Sequence, residues 1–285
     1  MQSTSPTAKS LQNKGPDKMY AFEYVKPTDL EDAVAFLKQH DEAKPVSGGQ
    51  TLIPTLKQRL AAPTQLVDLK HVHGLSGVTH DNHHVCVGAT TKHVDVQTSE
   101  IMHHHIPAVA ELAGQIGDPQ VRRRGTIGGS LANNDPSACY PSAALALNAR
   151  IHTNSRMLMA EDFFTGLFMT ALEEGEVITR VDFKIPVWAK YMKFPNPASR
   201  YAMTGVFVAQ FQDEDGVRVA ITGASEDGVM RHHGLEAALN ANFHADAVDG
   251  VEVSADGLMS DLHGSAAYRA NLIKVMTKRA VSAIQ

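Results

Sequence analysis

The chain has 285 residues, 43% of them hydrophobic and 20% charged, an ordinary globular composition with room for two or three domains. Its net charge of −5 argues against a general nucleic-acid binder, and no apolar run approaches the roughly 18 to 20 residues that a membrane-spanning helix needs. Only Cys86 and Cys139 are present, too few for a cysteine-ligated iron–sulfur cluster, and in a reducing compartment they read as small buried residues rather than a disulfide.

Residues 1–18 are polar, rich in Ser, Thr, Lys and Gln, and lack the apolar core of a signal peptide, so a disordered extension and a cytoplasmic protein are expected. Residues 19–25 alternate as a strand. Thr28 and Glu31 make a capping box, and Leu30, Ala33, Val34 and Leu37 recur at helical spacing. A strand ending at Val46 leads into Ser47-Gly48-Gly49-Gln50-Thr51. A helix follows to Leu60, with Pro54 in its first turn. Gln65–Leu69 is another strand. This β-α-β-α-β unit is the expected first subdomain, 19–73.

The second subdomain is expected over 74–189. Val85–Ala89 reads as a strand, and Thr90 or Thr91 as the cap of a following helix. Ile106, Val109, Ala110, Ala113 and Ile116 mark one face of a helix that leads into a second glycine loop. A short helix over 141–148 and an alternating strand over 176–183 complete the unit. Residues 190–285 read as a separate α+β module. Three strands, 206–212, 217–223 and 229–232, are joined by Asp/Gly turns into an antiparallel sheet. Helices follow at 235–241 and 268–283.

Histidines crowd the second region: His71, His73, His80, His83, His84, His93 and His103 to His105. His80 and His84 have the spacing of a helical zinc pair. No Glu follows His80, however, and turn signals surround it, so exposed loop histidines are the plainer reading and no metal site is expected.

The chemistry concentrates in two loops. Ser47-Gly48-Gly49-Gln50-Thr51 and Thr126-Ile127-Gly128-Gly129-Ser130 each pair two glycines with flanking hydroxyls. A Gly-Gly pair tolerates positive φ and lets bare backbone approach a ligand. Inward-turned N–H groups then form an anion-binding concavity, and a helix N-terminus behind the loop favours negative charge. Two such loops facing each other can hold a pyrophosphate without a lysine. Neither loop fits the Rossmann fingerprint or the P-loop.

The stretch Lys44 to Pro54, containing Val46, Ser47, Gly48, Gly49, Gln50, Thr51, Leu52 and Ile53, resembles the first FAD loop of the medium subunits of molybdenum hydroxylases. This is the xanthine dehydrogenase and aerobic carbon monoxide dehydrogenase family. The run Ile116-Gly117-Asp118-Pro119-Gln120-Val121-Arg122, continuing through Thr126-Ile127-Gly128-Gly129-Ser130 to Asp135-Pro136, is similar to the family's second loop. Tyr191-Met192-Lys193-Phe194, Ser199-Arg200-Tyr201-Ala202 and Ser265 to Arg269 extend the resemblance over about residues 19–283. It implies a two-subdomain FAD-binding fold of the vanillyl-alcohol-oxidase or PCMH type with a C-terminal α+β domain.

The resemblance further implies one non-covalent FAD, with its pyrophosphate between the loops and Thr51, Thr126 and Ser130 adding hydroxyls. Ile116 and Ile178 would line the cofactor, or simply pack. Lys193 would put a positive charge near phosphate or reduced flavin, or stand solvated on its strand. Asp135 would contact cofactor or hold its own turn. Cys139 stands where the family usually has an aspartate that touches the cofactor, and a thiol is a poorer acceptor. The implied partners are a large molybdopterin subunit and a small subunit with two 2Fe-2S clusters, with quinone, NAD or oxygen as external acceptor. No catalytic triad or acid–base pair stands out. Two alternatives are a free-standing FAD-dependent oxidase or dehydrogenase and a non-catalytic nucleotide-binding module.

Overall fold

The computed structural model describes residues 19–283, and the N-terminal stretch expected to be disordered lies outside the described residues. The chain begins with β1 (Glu23–Val25), α1 (Leu30–Gln39), β2 (Ala43–Val46), α2 (Leu52–Lys57) and β3 (Gln65–Asp68). The three strands pair in parallel in the order β1-β3-β2. Parallel pairing requires crossover connections, which α1 and α2 supply. Asp29, rather than Thr28, caps α1: its carboxylate accepts the Asp32 N–H at 2.9 Å. Ala33 and Leu37 bury the inner face. The first glycine loop therefore hangs at the carboxyl end of β2, where open parallel sheets expose their ligand crevices.

The next stretch contains β4 (Val78–His80), β5 (His84–Gly88), α3 (His93–Gln97), α4 (Glu100–His105), α5 (Pro107–Gly114), α6 (Pro119–Arg122), α7 (Ile127–Asn133) and α8 (Tyr140–Ala146). It continues through β6 (Arg150–Thr153), β7 (Met157–Met159), α9 (Ala160–Phe163), β8 (Phe164–Gly166), β9 (Met169–Thr170) and β10 (Ile178–Lys184). An antiparallel sheet runs β4-β5-β10-β6-β7, and β8 and β9 form a small hairpin. Neither Thr90 nor Thr91 caps α3, which starts after Lys92. Their hydroxyls donate instead to the carbonyls of Leu75 and Gly77, at 2.9 and 3.1 Å. α5 buries Val109, Ala110, Leu112 and Ala113, and ends before Ile116.

The chain ends with β11 (Trp188–Pro195), β12 (Ala202–Gln210), β13 (Val217–Ser225), β14 (Gly228–Arg231), α10 (His233–Ala241) and α11 (Ala266–Ser282). The sheet is a four-stranded antiparallel meander, one strand more than expected. The extra strand is the edge strand β11. Only Tyr191 on it is buried, so its sequence carries little period-two signal. β12 is buried on both faces. Phe207 and Ala209 enter the large core around α5, α7 and α8. Val206 and Val208 enter a second core with Leu235, Leu239, Ile273 and Met276. Successive side chains on a strand point to opposite faces, so one strand serves both cores.

A cleft between two glycine loops

A cleft of about 950 Å³ opens between the two glycine loops. All the predicted site residues line it except Ile53 and Ile127. Ile127 is fully buried in the large core. Ile53 lies beneath the first loop and packs with Val46, Leu56 and Leu66. A Cβ on Gly49 would stand 2.9 Å from its Cγ1. Both residues are apolar scaffold under the loops, because each points away from the cleft into a core.

The two loops are built differently. Gly49 has φ +67°, a left-handed conformation that favours glycine and turns the chain into α2. Among the described residues, none accepts a hydrogen bond from the backbone N–H groups of Ser47, Gly48, Gly49, Gln50 or Thr51. Thr51 sits at the start of α2 without capping it, so its hydroxyl is also uncommitted. This loop is a row of unclaimed donors at a helix N-terminus.

The second loop has already spent its donors. Ile127 N–H donates to Thr91 O at 3.1 Å and Gly128 N–H to Ala89 O at 2.8 Å. Gly129 N–H donates to Thr126 Oγ1 at 3.2 Å, so Thr126 caps α7. The uncommitted backbone donors of the two loops therefore lie on the first, while those of residues 127–129 are engaged within the protein. Thr126 also donates its hydroxyl proton to Ser47 Oγ at 3.2 Å, tying the loops together. That bond leaves the Ser47 proton free to point into the cleft. Ser130 lines the cleft with no side-chain partner among the described residues.

Two of the glycines serve packing between elements rather than access to the cleft. A Cβ on Gly48 would stand 2.3 Å from Arg124 O, in the backbone of the other loop. One on Gly128 would stand 2.7 Å from Ala89 O. Gly129 is the open one: a Cβ there would meet only Thr126 Oγ1, at 3.0 Å.

Around the cleft, Ile116, Ile178, Leu69, Leu172 and Ala89 form apolar wall. Asp135 accepts the Ser137 N–H at 2.8 Å and so holds its own turn. Lys193 donates to Gln115 O at 3.0 Å, which fixes the end of α5 beside Ile116. Cys139 lines the floor and is 4% exposed. Sequence reasoning missed His93 and Glu176 among the lining residues. Burial, and then the Arg122 charge, lower His93 to about 4, so the ring is neutral. Burial raises Glu176, but hydrogen bonds from Arg156, the Glu173 N–H, Thr153 and Ser155 outweigh it and hold the carboxylate at about 2. Ser199, Arg200 and Tyr201, from the family-like run after β11, also line the cleft.

An apolar-walled cleft of this volume, with one row of backbone donors and several free hydroxyls, fits a large ligand that carries phosphate. Residues 20–188 match the family described as "FAD binding domain in molybdopterin dehydrogenase". The chain belongs to that family. Its cofactor is FAD, and it is an oxidoreductase subunit. The carbon monoxide dehydrogenase medium chain of Hydrogenophaga pseudoflava is 33% identical, over 92% of this chain and 96% of its own length. The nicotine 6-hydroxylase medium subunit of Paenarthrobacter nicotinovorans is 32% identical, over 93% and 97%. In structure, reconstituted CO dehydrogenase from Oligotropha carboxidovorans superposes with a TM-score of 0.86 at 30% identity, covering 93% of this chain and 98% of that one. The α+β fold of the family is thus present over nearly the whole chain.

Proposed function

We propose that this family member is the FAD-carrying electron-transfer subunit of a heteromeric molybdenum hydroxylase. The observation that carries the reading is the row of unclaimed backbone N–H groups from Ser47 to Thr51, facing Gly129 and Ser130 across the cleft. In this reading those donors take the pyrophosphate, with the hydroxyls of Ser47, Thr51 and Ser130 beside them. Thr126 acts through Ser47 by accepting Gly129 N–H and donating to Ser47 Oγ. Ile116 and Ile178 exclude water from the ring system. Lys193 secures the Ile116 turn through Gln115 and adds positive charge to the wall. FAD supplies the chemistry, accepting electrons singly and releasing them in pairs. The chain's own residues bind, orient and shield it.

Electrons then come from iron–sulfur clusters on a small partner subunit, after substrate oxidation on a large molybdopterin subunit, and leave to an external acceptor. Support comes from the relatives, which are named medium chains or medium subunits. The chain also has too few cysteines for a cluster of its own. Purification from the native host, followed by metal and flavin analysis, tests the reading. Iron and molybdenum co-eluting with this chain and with FAD is the expected result. A metal-free flavoprotein that oxidises an organic substrate unaided would replace it with a free-standing oxidase.

A further inference from the structure

His93 lines the cleft, and the cofactor role described above gives it no task. It opens α3, and its backbone N–H donates to Gly125 O at 2.9 Å, which ties it to the residue just before the second loop. Its ring packs against the Tyr140 ring with centroids 5.4 Å apart, and the residue is only 5% exposed. The imidazole is thus held in place before any ligand arrives.

The two ring nitrogens stand in different surroundings. Nδ1 is buried and has no hydrogen-bond partner among the described residues. Nε2 lies at Gly125, which also lines the cleft. A Cβ on Gly125 would stand 2.5 Å from Nε2 and 2.8 Å from Cδ2, so only a glycine leaves this nitrogen uncovered. Nε2 has no partner among the described residues either, but it is not sealed off as Nδ1 is. Burial, and then the Arg122 charge, keep the ring neutral at ordinary pH, so it carries a single N–H. An orphaned buried N–H is rarer than an under-satisfied acceptor. The proton therefore belongs on Nε2, the nitrogen with access to the cleft.

Gly125 also places this donor relative to the first loop. A Cβ on Gly48 would stand 2.6 Å from Gly125 Cα, so the two glycines meet where the loops touch. The next residue, Thr126, donates to Ser47 Oγ at 3.2 Å. The His93 N–H thus sits beside the row of free N–H groups at 47–51. We propose that His93 is a further phosphate-binding residue, whose Nε2–H donates to an oxygen of the FAD pyrophosphate. The inference rests on the proposed seat of that pyrophosphate at the first loop. A fixed, neutral imidazole adds a directed hydrogen bond there without adding a charge.

The test uses the full chain with its histidine ring nitrogens isotopically labelled, His93 being assigned by the signal lost in its variants. In the wild type, long-range proton–nitrogen NMR spectra should show the Nε2–H tautomer without FAD and a shifted Nε2 signal once FAD is added. FAD titrations give the second arm. Gln puts an amide NH₂ where Nε2 stood, whereas Asn reaches only the Nδ1 position. His93→Asn and His93→Leu should bind FAD about ten-fold or more weakly, as expected for loss of a hydrogen bond to a charged group, while His93→Gln should stay within about three-fold of wild type. The Nδ1–H tautomer, an Nε2 signal that FAD leaves in place, or equal losses in His93→Gln and His93→Asn would each overturn the proposal. Amide exchange on the same samples separates it from the reading beneath it. Protection at 47–51 with an unmoved His93 signal sinks this proposal alone; no protection at 47–51 removes the phosphate seat and the proposal with it.

Discussion

At Gly48 a single hydrogen in place of a methyl lets two loops touch. A Cβ there would stand 2.3 Å from Arg124 O and 2.6 Å from Gly125 Cα, both backbone atoms that cannot step aside. Gly48→Ala is expected to lower stability by about 1–3 kcal/mol, the usual cost of overpacking, and to weaken FAD binding as the loops part. Gly129→Ala meets only a side-chain oxygen, so its melting temperature should stay near wild type. Thermal melts paired with FAD titrations check both. Gly128→Val runs into Ala89, so loss of FAD in that variant would report misfolding rather than a blocked phosphate. The Gly-Gly pairs were visible in the sequence. Which glycine packs and which opens to the cleft was not, because that depends on Arg124 and Ala89 arriving from other elements. Two buried groups lining the cleft contribute to the acid response. His93 titrates at about 4 in the folded chain against an ordinary 6.5, so between those values only the unfolded chain binds the proton. Stability therefore falls as pH drops from 6.5 to 4. Glu176, at about 2 against 4.5, adds stability above 4.5 that is lost as pH falls towards 2. His93→Gln should narrow the difference in melting temperature between about pH 7 and about pH 5, a window in which this histidine titrates in the unfolded chain and Glu176 titrates in neither state. An unchanged difference would remove His93 from this role.

Among the elements, α7 does more than close the second loop. Asn134 ends it in the left-handed conformation, φ 41°, and is buried. Its side-chain NH₂ donates to Gly166 O and Met169 O at 2.9 and 2.8 Å, and its backbone carbonyl accepts Phe168 N–H at 3.2 Å. The β8–β9 hairpin, with Phe168 and Met169 exposed at its tip, is thereby pinned to the helix that follows the cleft. Asn134→Gly keeps the conformation and loses the amide bonds; Asn134→Ala loses both. Destabilisation of about 1–3 kcal/mol is expected for Gly, and more for Ala, in denaturant melts. Equal effects would mean that the amide bonds contribute little. Legibility followed burial pattern. α11 and β13 are readable because their apolar residues repeat at helical or strand spacing, and β12 because it is a short continuous apolar run bounded by turn residues. β6 to β9 are two to four residues long, too short for any period to register, and β11 is a half-buried edge. The caps were misread at Thr28, Thr90 and Thr91 because neighbouring hydroxyls and carboxylates compete for the same role, and only tertiary contacts choose between them.

Across the whole molecule, the cleft joins a parallel sheet to an antiparallel one through the Ser47–Thr126 contact, so neither sheet makes the site alone. We propose division of the chain at about 73 and 189, and both lines are crossed by packing: Leu75 and Val177 share a core with Leu69 and Val72, and Tyr191, Phe207 and Ala220 share one with α5 and α8. Limited proteolysis should therefore release no stable fragment cut at only one of these lines. Most of the lining was legible because both loops and their flanks are continuous in sequence. His93, Glu176 and Tyr201 were not, because they reach the cleft from elements whose neighbours only folding reveals. In the proposed function the first loop holds the FAD phosphates through free backbone N–H groups, while the second has already committed its own. Amide hydrogen exchange with and without FAD measures this directly. Without FAD, residues 47–51 should exchange fast and residues 127–129 slowly; with FAD, protection should appear at 47–51 and change little at 127–129. Protection that rises at 127–129 and leaves 47–51 unchanged would place the phosphates on the second loop instead.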